Sequence, residues 1–258
     1  MSFDSLFPHV VVINLTRRPD RKQAMQLQLQ QQGITASFVD AVDGQSEYVQ
    51  QQHREYAMQP LIHREELRWK HHLLLNSAMY GIMMSALTVV GRAFARRWPT
   101  VLIFEDDVHL CPNFRQKAAH FVTTLSRPWK VILWGASDFH HNERQHGDGY
   151  YQACRGVYGF FAVSIHQSVY LELLTLLQLK RLPPDVCLNC IFEQHPYQSF
   201  VAYPNLAVAN LNDSDIHPFQ QNRLVTREGA DKGTTVSTDF ETFQQDYHAK
   251  AGWNQSWL

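Results

Sequence analysis

Residues Val101-Leu102-Ile103-Phe104-Glu105-Asp106-Asp107-Val108 set the strongest limit on what this chain can become, because an unbroken apolar run ends abruptly in three carboxylates. A short β-prone run with no polar alternation is the pattern of a strand buried on both faces, as in parallel sheets. In open α/β sheets ligands sit outside the carboxyl ends of the strands, so these acids are expected to lie at such a crevice. Side chains alternate along a strand, which sends Glu105 and Asp107 one way and Asp106 the other. Two carboxylates on one side of a strand end suit a divalent cation; without a counter-charge they repel and raise each other's proton affinity. The plainer reading is a polar strand end that caps the next turn.

The chain has 258 residues, a length that fits one large α/β domain. Its 45% hydrophobic and 18% charged residues describe a protein with a true core rather than a disordered one. A net charge of −1 provides no general basic field, so nucleic acid is not an expected partner. Met1-Ser2-Phe3-Asp4 lacks the basic-then-apolar pattern of a secretion signal, and four cysteines do not make a disulfide framework. A cytoplasmic setting is therefore expected. Leu73 to Gly91 carries no charge and is long enough to span a bilayer, yet Asn76, Ser77, Gly81, Ser85 and Thr88 dilute it. Basic residues flank it on both sides (Lys70; Arg92, Arg96 and Arg97), so no orientation signal exists and a buried core helix is expected.

Strand and helix patterns alternate along the chain. Val10 to Leu15 reads as a strand; Pro19 suits a first helical position, Asp20 its positive dipole end, and Gly33 its stop. Between them Ala24, Met25, Leu27 and Leu29 supply a narrow apolar stripe, with the glutamines on a solvated face. Ser37 to Val39 is a second strand, Glu47 to Trp69 a polar, helical or irregular stretch. After the Val101 strand come a helix over Asn113 to Leu125, a strand over Lys130 to Trp134 and a polar loop over Phe139 to Tyr151. A strand over Val157 to Ser164, a helix over Ser168 to Leu179, another helix opened by Pro183-Pro184-Asp185, and a strand over Phe200 to Tyr203 complete the pattern. This alternation predicts a single α/β domain with a mainly parallel sheet flanked by helices. The core spans about residues 9 to 218, with a polar extension from 219 to 258.

Four separated segments resemble glycosyltransferase family 25, which includes lipopolysaccharide-building and collagen galactosyltransferases. They are Val11-Val12-Ile13-Asn14-Leu15-Thr16-Arg17-Arg18-Pro19-Asp20-Arg21, Ala41-Val42-Asp43-Gly44, Leu102 through Val108, and Asp213-Ser214-Asp215-Ile216. Each alone is a weak match; their order and spacing together are fairly specific. One departure stands out: in Gly81-Ile82-Met83-Met84-Ser85-Ala86 the family commonly carries histidine where Ala86 stands.

The resemblance implies a GT-A-like, Rossmann-type fold that binds a nucleotide sugar, with an acidic motif and a divalent metal, Mn²⁺ or Mg²⁺, opposing the charge of the departing diphosphate. Under it Asp107 is a direct metal ligand, Glu105 binds metal or ribose, and His217, just beyond the fourth segment, is a third ligand. Asn14, Arg17, Arg18 and Arg21 fall where the nucleotide lies, and arginine suits a diphosphate by charge and geometry; a solvated helix start is the plain alternative for each arginine. Asp185 is similar to the family's Pro-x-Asp acceptor-side residue and is expected to act as the general base of an inverting transfer, or to cap its helix. The resemblance further implies UDP-galactose as donor and a saccharide acceptor such as lipopolysaccharide. The aromatic tail from Tyr247 to Trp257 suits either the domain or a membrane, so peripheral association at the inner face of the membrane is carried forward as an expectation.

Other clusters read as structural. Cys187-Leu188-Asn189-Cys190 has no partner pair to complete a zinc site and is expected to pack as core. His140, His141 and His146 sit in the polar loop, which lies where a lid over the donor would be. No Gly-rich phosphate loop and no Gly-x-Ser-x-Gly elbow is present. Two other classes remain: a non-catalytic nucleotide-sugar or glycan-binding protein on the same fold, which Ala86 favours, and a metal-dependent phosphohydrolase. The second lacks the Asp-x-Asp-x-Thr pattern of the commonest acid-motif phosphatases, because His109 falls in the threonine position.

Overall fold

The computed structural model of the chain describes residues 1–59, 73–125, 127–138 and 144–210. The segment Asp213 to Ile216, His217, His140 and His141, part of the polar stretch after Glu47, and everything beyond residue 210 lie outside the described residues.

The chain opens with a short helix α1 (Phe3–Leu6), strand β1 (Val10–Asn14), helix α2 (Pro19–Gln31) and strand β2 (Ser37–Asp40). Helix α3 (Glu47–Ala57) and the long helix α4 (Ser77–Ala95) lead to β3 (Thr100–Glu105), a short β4 (Val108–Leu110), α5 (Phe114–Thr124) and β5 (Val131–Leu133). A hairpin of β6 (His146–Gly147) and β7 (Tyr150–Gln152) precedes β8 (Ala162–His166), α6 (Tyr170–Gln178), α7 (Pro184–Gln194), β9 (Ser199–Ala202) and β10 (Ala207–Ala209).

Eight strands form one sheet in the order β2-β1-β3-β8-β5-β9-β7-β6, and β10 pairs with β4 beside it. The fold is α/β, as the alternation predicts, with β1, β2 and β3 parallel. The sheet is nevertheless mixed, because β8 runs antiparallel to both β3 and β5. The chain leaves β5 at its carboxyl end, forms the β6–β7 hairpin and re-enters the sheet from that end. Strand direction leaves no mark on Ala-Val-Ser-Ile-His, which reads as a buried run whichever way it points. The strand expected from Val157 starts at Ala162, and Val157 to Phe161 form a strap whose Tyr158 makes an isolated bridge to Ser137.

Alternation along the strands divides the core between two faces. Val11, Ile13, Val101 and Ile103 pack under α3, α4, α6 and α7. Val10, Val12, Leu102 and Phe104 pack under α1, α2 and α5, with Trp134 fully buried among them. Helix α4 has the length and composition to cross a membrane, and it packs as a core helix, burying Met83, Ala86, Val89, Val90 and Ala93. Asn76 caps it by accepting from the Met79 amide at 2.8 Å, so it starts four residues later than its apolar run. In α2 the buried stripe is Arg21, Met25 and Leu29, and Ala24 and Leu27 face solvent. One of the glutamines also turns inward: Gln28 donates to Val108 O and accepts from Leu110 N, both at 2.9 Å, and so ties α2 to β4.

Helix α4 approaches the turn after β2 so closely that two glycines are required. A Cβ on Gly81 would lie 2.5 Å from the Val42 carbonyl oxygen, and one on Gly44 would lie 2.5 Å from the Ser77 carbonyl oxygen. Gly91, in the same helix, has only Leu174 Cδ2 at 3.8 Å in front of it. Substitution to alanine should therefore have opposite signs on one helix. Gly81→Ala is expected to cost about 1–3 kcal/mol by overpacking, whereas Gly91→Ala should gain about 0.5–1 kcal/mol of helix propensity. Thermal unfolding of the two variants checks the pair.

Candidate active site

Three parallel strands end side by side: Ile13 pairs with Glu105 across β1–β3, and Asn14 with Asp40 across β1–β2. The connection from β1 goes to one side and the chain then crosses to β3 on the other, so their carboxyl ends form a topological switch point. A cleft opens there, between the turns after β1, β2 and β3 and the amino-terminal half of α4. Ile13, Val42, Ala78 and Ile82 provide apolar wall, and Arg17, Arg21, Asp43 and all three acids of the 105–107 triplet provide charge.

The triplet does not continue as a strand. β3 ends at Glu105 and Asp106-Asp107 form a turn, so strict alternation lapses and all three residues border the cleft. Asp106 is nonetheless occupied within the protein. Its Oδ2 accepts from Asn14 Nδ2 at 2.7 Å and from the Leu15 amide at 3.2 Å, and its Oδ1 accepts from Arg21 Nη1 at 3.1 Å. Arg21 Nη1 lies 4.0 Å from Asp107 Oδ2, so a single buried guanidinium faces two of the three acids. Burial, then the fields of Asp107, Asp106 and Asp185, push the Glu105 carboxyl well above the usual carboxylate range, with Arg21 opposing. Crowded anions of this kind are relieved by a cation, and an all-oxygen pair formed by Glu105 and Asp107 suits Mn²⁺ or Mg²⁺ when substrate phosphates complete the shell. Among the described residues no third His, Cys, Asp or Glu joins them in a metal-holding group, and His217 lies outside those residues.

The other expected residues fall into three groups. Arg17 borders the cleft, and its Nε donates to Asp43 Oδ2 at 3.0 Å. Arg21 reaches the cleft from inside the protein. Asn14 is buried; its amide donates to Asp106 and to the Arg18 carbonyl at 3.2 Å, so it shapes the turn and does not line the cleft. The Arg18 side chain is largely covered but does not line the cleft, and its hydrogen bonds to Asp20 hold that exposed carboxyl down at about 2. Asp185 sits on a different element, in the first turn of α7. Its own helix is capped by Pro183, which makes no side-chain capping bond, and Asp185 Oδ1 accepts from the Val186 amide at 2.9 Å. Burial pushes its carboxyl up to about 6, and its field reaches Glu105.

Two participants escape a reading of the motifs alone. Ser85 accepts from the Val42 amide at 2.8 Å while donating to Gly81 O at 2.8 Å, and so fastens the turn carrying Asp43 to α4. Asp43 itself is visible in the second segment, but its pairing with Arg17 depends on the close helix crossing. Ala86, the departure from the family pattern, is fully buried and does not border the cleft. Cys187 is buried and Cys190 half-buried, and both are free thiols.

The model of the family described as "Glycosyltransferase family 25 (LPS biosynthesis protein)" matches residues 7–153, more than half of the chain. The mouse protein named inactive glycosyltransferase 25 family member 3 is 27% identical over 209 residues, 79% of this chain and 34% of its own length. A glycosyltransferase 25 family member from Drosophila melanogaster is 26% identical over 210 residues, covering 79% of this chain and 33% of that protein. The chain thus spans about a third of the length of the curated relatives it matches. Among solved structures, mouse xyloside xylosyltransferase 1 aligns over 75% of this chain and 84% of its own, at 13% identity and a TM-score of 0.40. The chain belongs to glycosyltransferase family 25.

The Asn14–Asp106–Arg21 network predicts a specific asymmetry. Asp106→Ala leaves a buried guanidinium, a buried amide and a backbone N–H without their acceptor, and is expected to cost about 3 kcal/mol. Asp20→Ala removes an exposed carboxylate and should leave the denaturant midpoint nearly unchanged. Equal midpoint shifts in the two variants would contradict the assignment.

Proposed function

We propose that this protein is a glycosyltransferase that moves a hexose from a nucleotide-sugar donor to a saccharide acceptor. The single observation that carries the reading is the charged cleft at the switch point, where Glu105 and Asp107 face inward while Arg21 and Asn14 occupy Asp106. The words "LPS biosynthesis" in the family description support a lipopolysaccharide-type glycan as acceptor; UDP-galactose as donor rests on the resemblance of the sequence motifs alone.

In this reading the nucleotide lies against the apolar wall formed by Ile13, Val42 and Ile82, with Arg17 on its anionic side. Asp107 and Glu105 hold a divalent cation, which supplies charge neutralisation for the diphosphate leaving group. Asp185 accepts the proton of the acceptor hydroxyl as that oxygen forms its bond to the anomeric carbon, while the bonding electrons leave with the diphosphate. One displacement inverts the anomeric configuration. A base poised near neutrality is efficient, and burial of Asp185 serves that purpose. Ala86 lies behind the cleft, so the family's missing histidine does not remove one of its lining groups.

Isothermal titration with UDP, with and without Mn²⁺, tests the donor site. Binding that needs Mn²⁺ and is lost in Asp107→Asn is the expected result; metal-independent binding, or none, would overturn the metal assignment. The pH dependence follows from Asp185. Its proton affinity is raised, so the folded state favours the neutral acid: this contribution to stability is complete below the ordinary carboxylate range and lost as pH rises through about 6. Catalysis needs the ionised form, so turnover of UDP-galactose should rise across the same interval. Asp185→Asn should abolish turnover while leaving UDP affinity unchanged.

A further inference from the structure

Asn189 lies one helical turn beyond Asp185 in α7 and is buried. Its Nδ2 donates to Val157 O at 2.7 Å and to Asp185 O at 2.9 Å, and its Oδ1 accepts from the Gly156 amide at 2.7 Å. Gly156 has φ 90°, a conformation that residues with a Cβ rarely adopt, and this turns its N–H toward the carboxamide. The strap continues into Tyr158, whose N–H and C=O pair with Ser137 at 3.0 and 2.7 Å. Asp185 is close enough to Tyr158 for its charge to raise the phenol's proton affinity, after burial.

A carboxylate in the first turn of a helix is located by the way that helix begins. Most helices brace this turn with a Ser, Thr, Asp or Asn cap. Here Pro183 occupies the cap and has no donor or acceptor on its side chain, so the brace must come from elsewhere. Asn189 provides it. One planar group bonds the Asp185 backbone and two successive residues of the strap, which fixes the start of α7 against the strap.

We infer that Asn189 is a positioning residue, holding Asp185 in register with the Gly156–Tyr158 strap so that its carboxylate meets the acceptor hydroxyl at one place. The inference rests on the reading of Asp185 as the acceptor-side base.

The experiment measures UDP release from UDP-galactose with water as acceptor, and UDP affinity by titration, in the 258-residue chain. Asn189→Asp keeps the shape and the acceptor for Gly156 but loses both donated bonds. Its kcat is expected to fall about tenfold or more, with KM and UDP affinity within about twofold of the parent. Asn189→Ser, which leaves room for a bridging water, provides the same readout should the aspartate variant fail to fold. A merely structural asparagine would lower the unfolding temperature and leave kcat intact, and that result, with Asp185→Asn inactive, overturns the inference alone. Full turnover in Asp185→Asn, or no turnover by the parent protein, overturns the reading of the base and the inference with it.

Discussion

A guanidinium buried among carboxylates organises the amino-terminal half of this molecule. Arg21 is carried inward because it occupies the first position of the buried stripe of α2, ahead of Met25 and Leu29 at four-residue intervals. It meets Asp106 just past the end of β3, and Asn14 and the Leu15 amide fill the other carboxylate oxygen. An unpaired charge at this depth would cost several kcal/mol, so neither partner is stable there alone. The pairing ties α2, β1 and β3 together at the point where the crevice must open. It also divides the acidic triplet: one carboxylate is taken by the fold, and the flanking two remain at the cleft with their charge only partly offset.

The second wall depends on a close approach instead of charge. Gly81 and Gly44 let α4 press against the turn after β2, and Ser85 fills the remaining gap with a hydroxyl that bonds in both directions. The Gly-x-x-x-Ser spacing places both residues on one helical face, while Ala86, one step round the helix, points into the core. Asp43 is delivered to the cleft margin as a result. Its pairing with Arg17 balances a cation that would otherwise sit beside a cleft already shared by Arg21.

Element type was legible in the sequence wherever an apolar run was long or capped. Val10 to Asn14, Thr100 to Glu105, α2 with its Pro19 start, and α7 with its Pro183-Pro184 opening all follow from propensity and breakers. The direction of β8 was not, because buried strands carry no sign of their orientation. The pairs β4–β10 and β6–β7 are two or three residues long and have no periodicity to detect. At the site, the acidic triplet and the arginines were visible as residue types, but their division was not. Arg18 and Arg21 look alike in sequence; only the helical phase that buries Met25 sends one inward and leaves the other paired with Asp20. Asn189 carries no signal in the sequence, where it is only a spacer between Cys187 and Cys190, since the strap residues it bonds are brought to it by tertiary contacts.

The antiparallel insertion of β8 has a consequence for chemistry. A sheet built from parallel units alone would follow β3 with a helix and a further strand, leaving one crevice assembled from consecutive turns. Here β5 is separated from β3 by a strand that arrives from the carboxyl end, and the connection bringing it there is the strap from Gly156 to Phe161. That strap and the start of α7 are tied to each other through Asn189, independently of the α2–β1–β3 frame, and the field of Asp185 reaches Glu105. A reaction that needs an anion held at one place and a proton removed at another is served by two carboxylate groups whose positions are set by different interactions: an ion pair for one, a carboxamide brace for the other. The proton affinities of Glu105 and Asp185 both rise first from burial, and Glu105 alone is raised further by neighbouring carboxylates. Cation binding between Glu105 and Asp107 would lower the demand for a proton there and leave Asp185, which does not line the cleft, free to take one from an acceptor, which separates the two roles electrostatically.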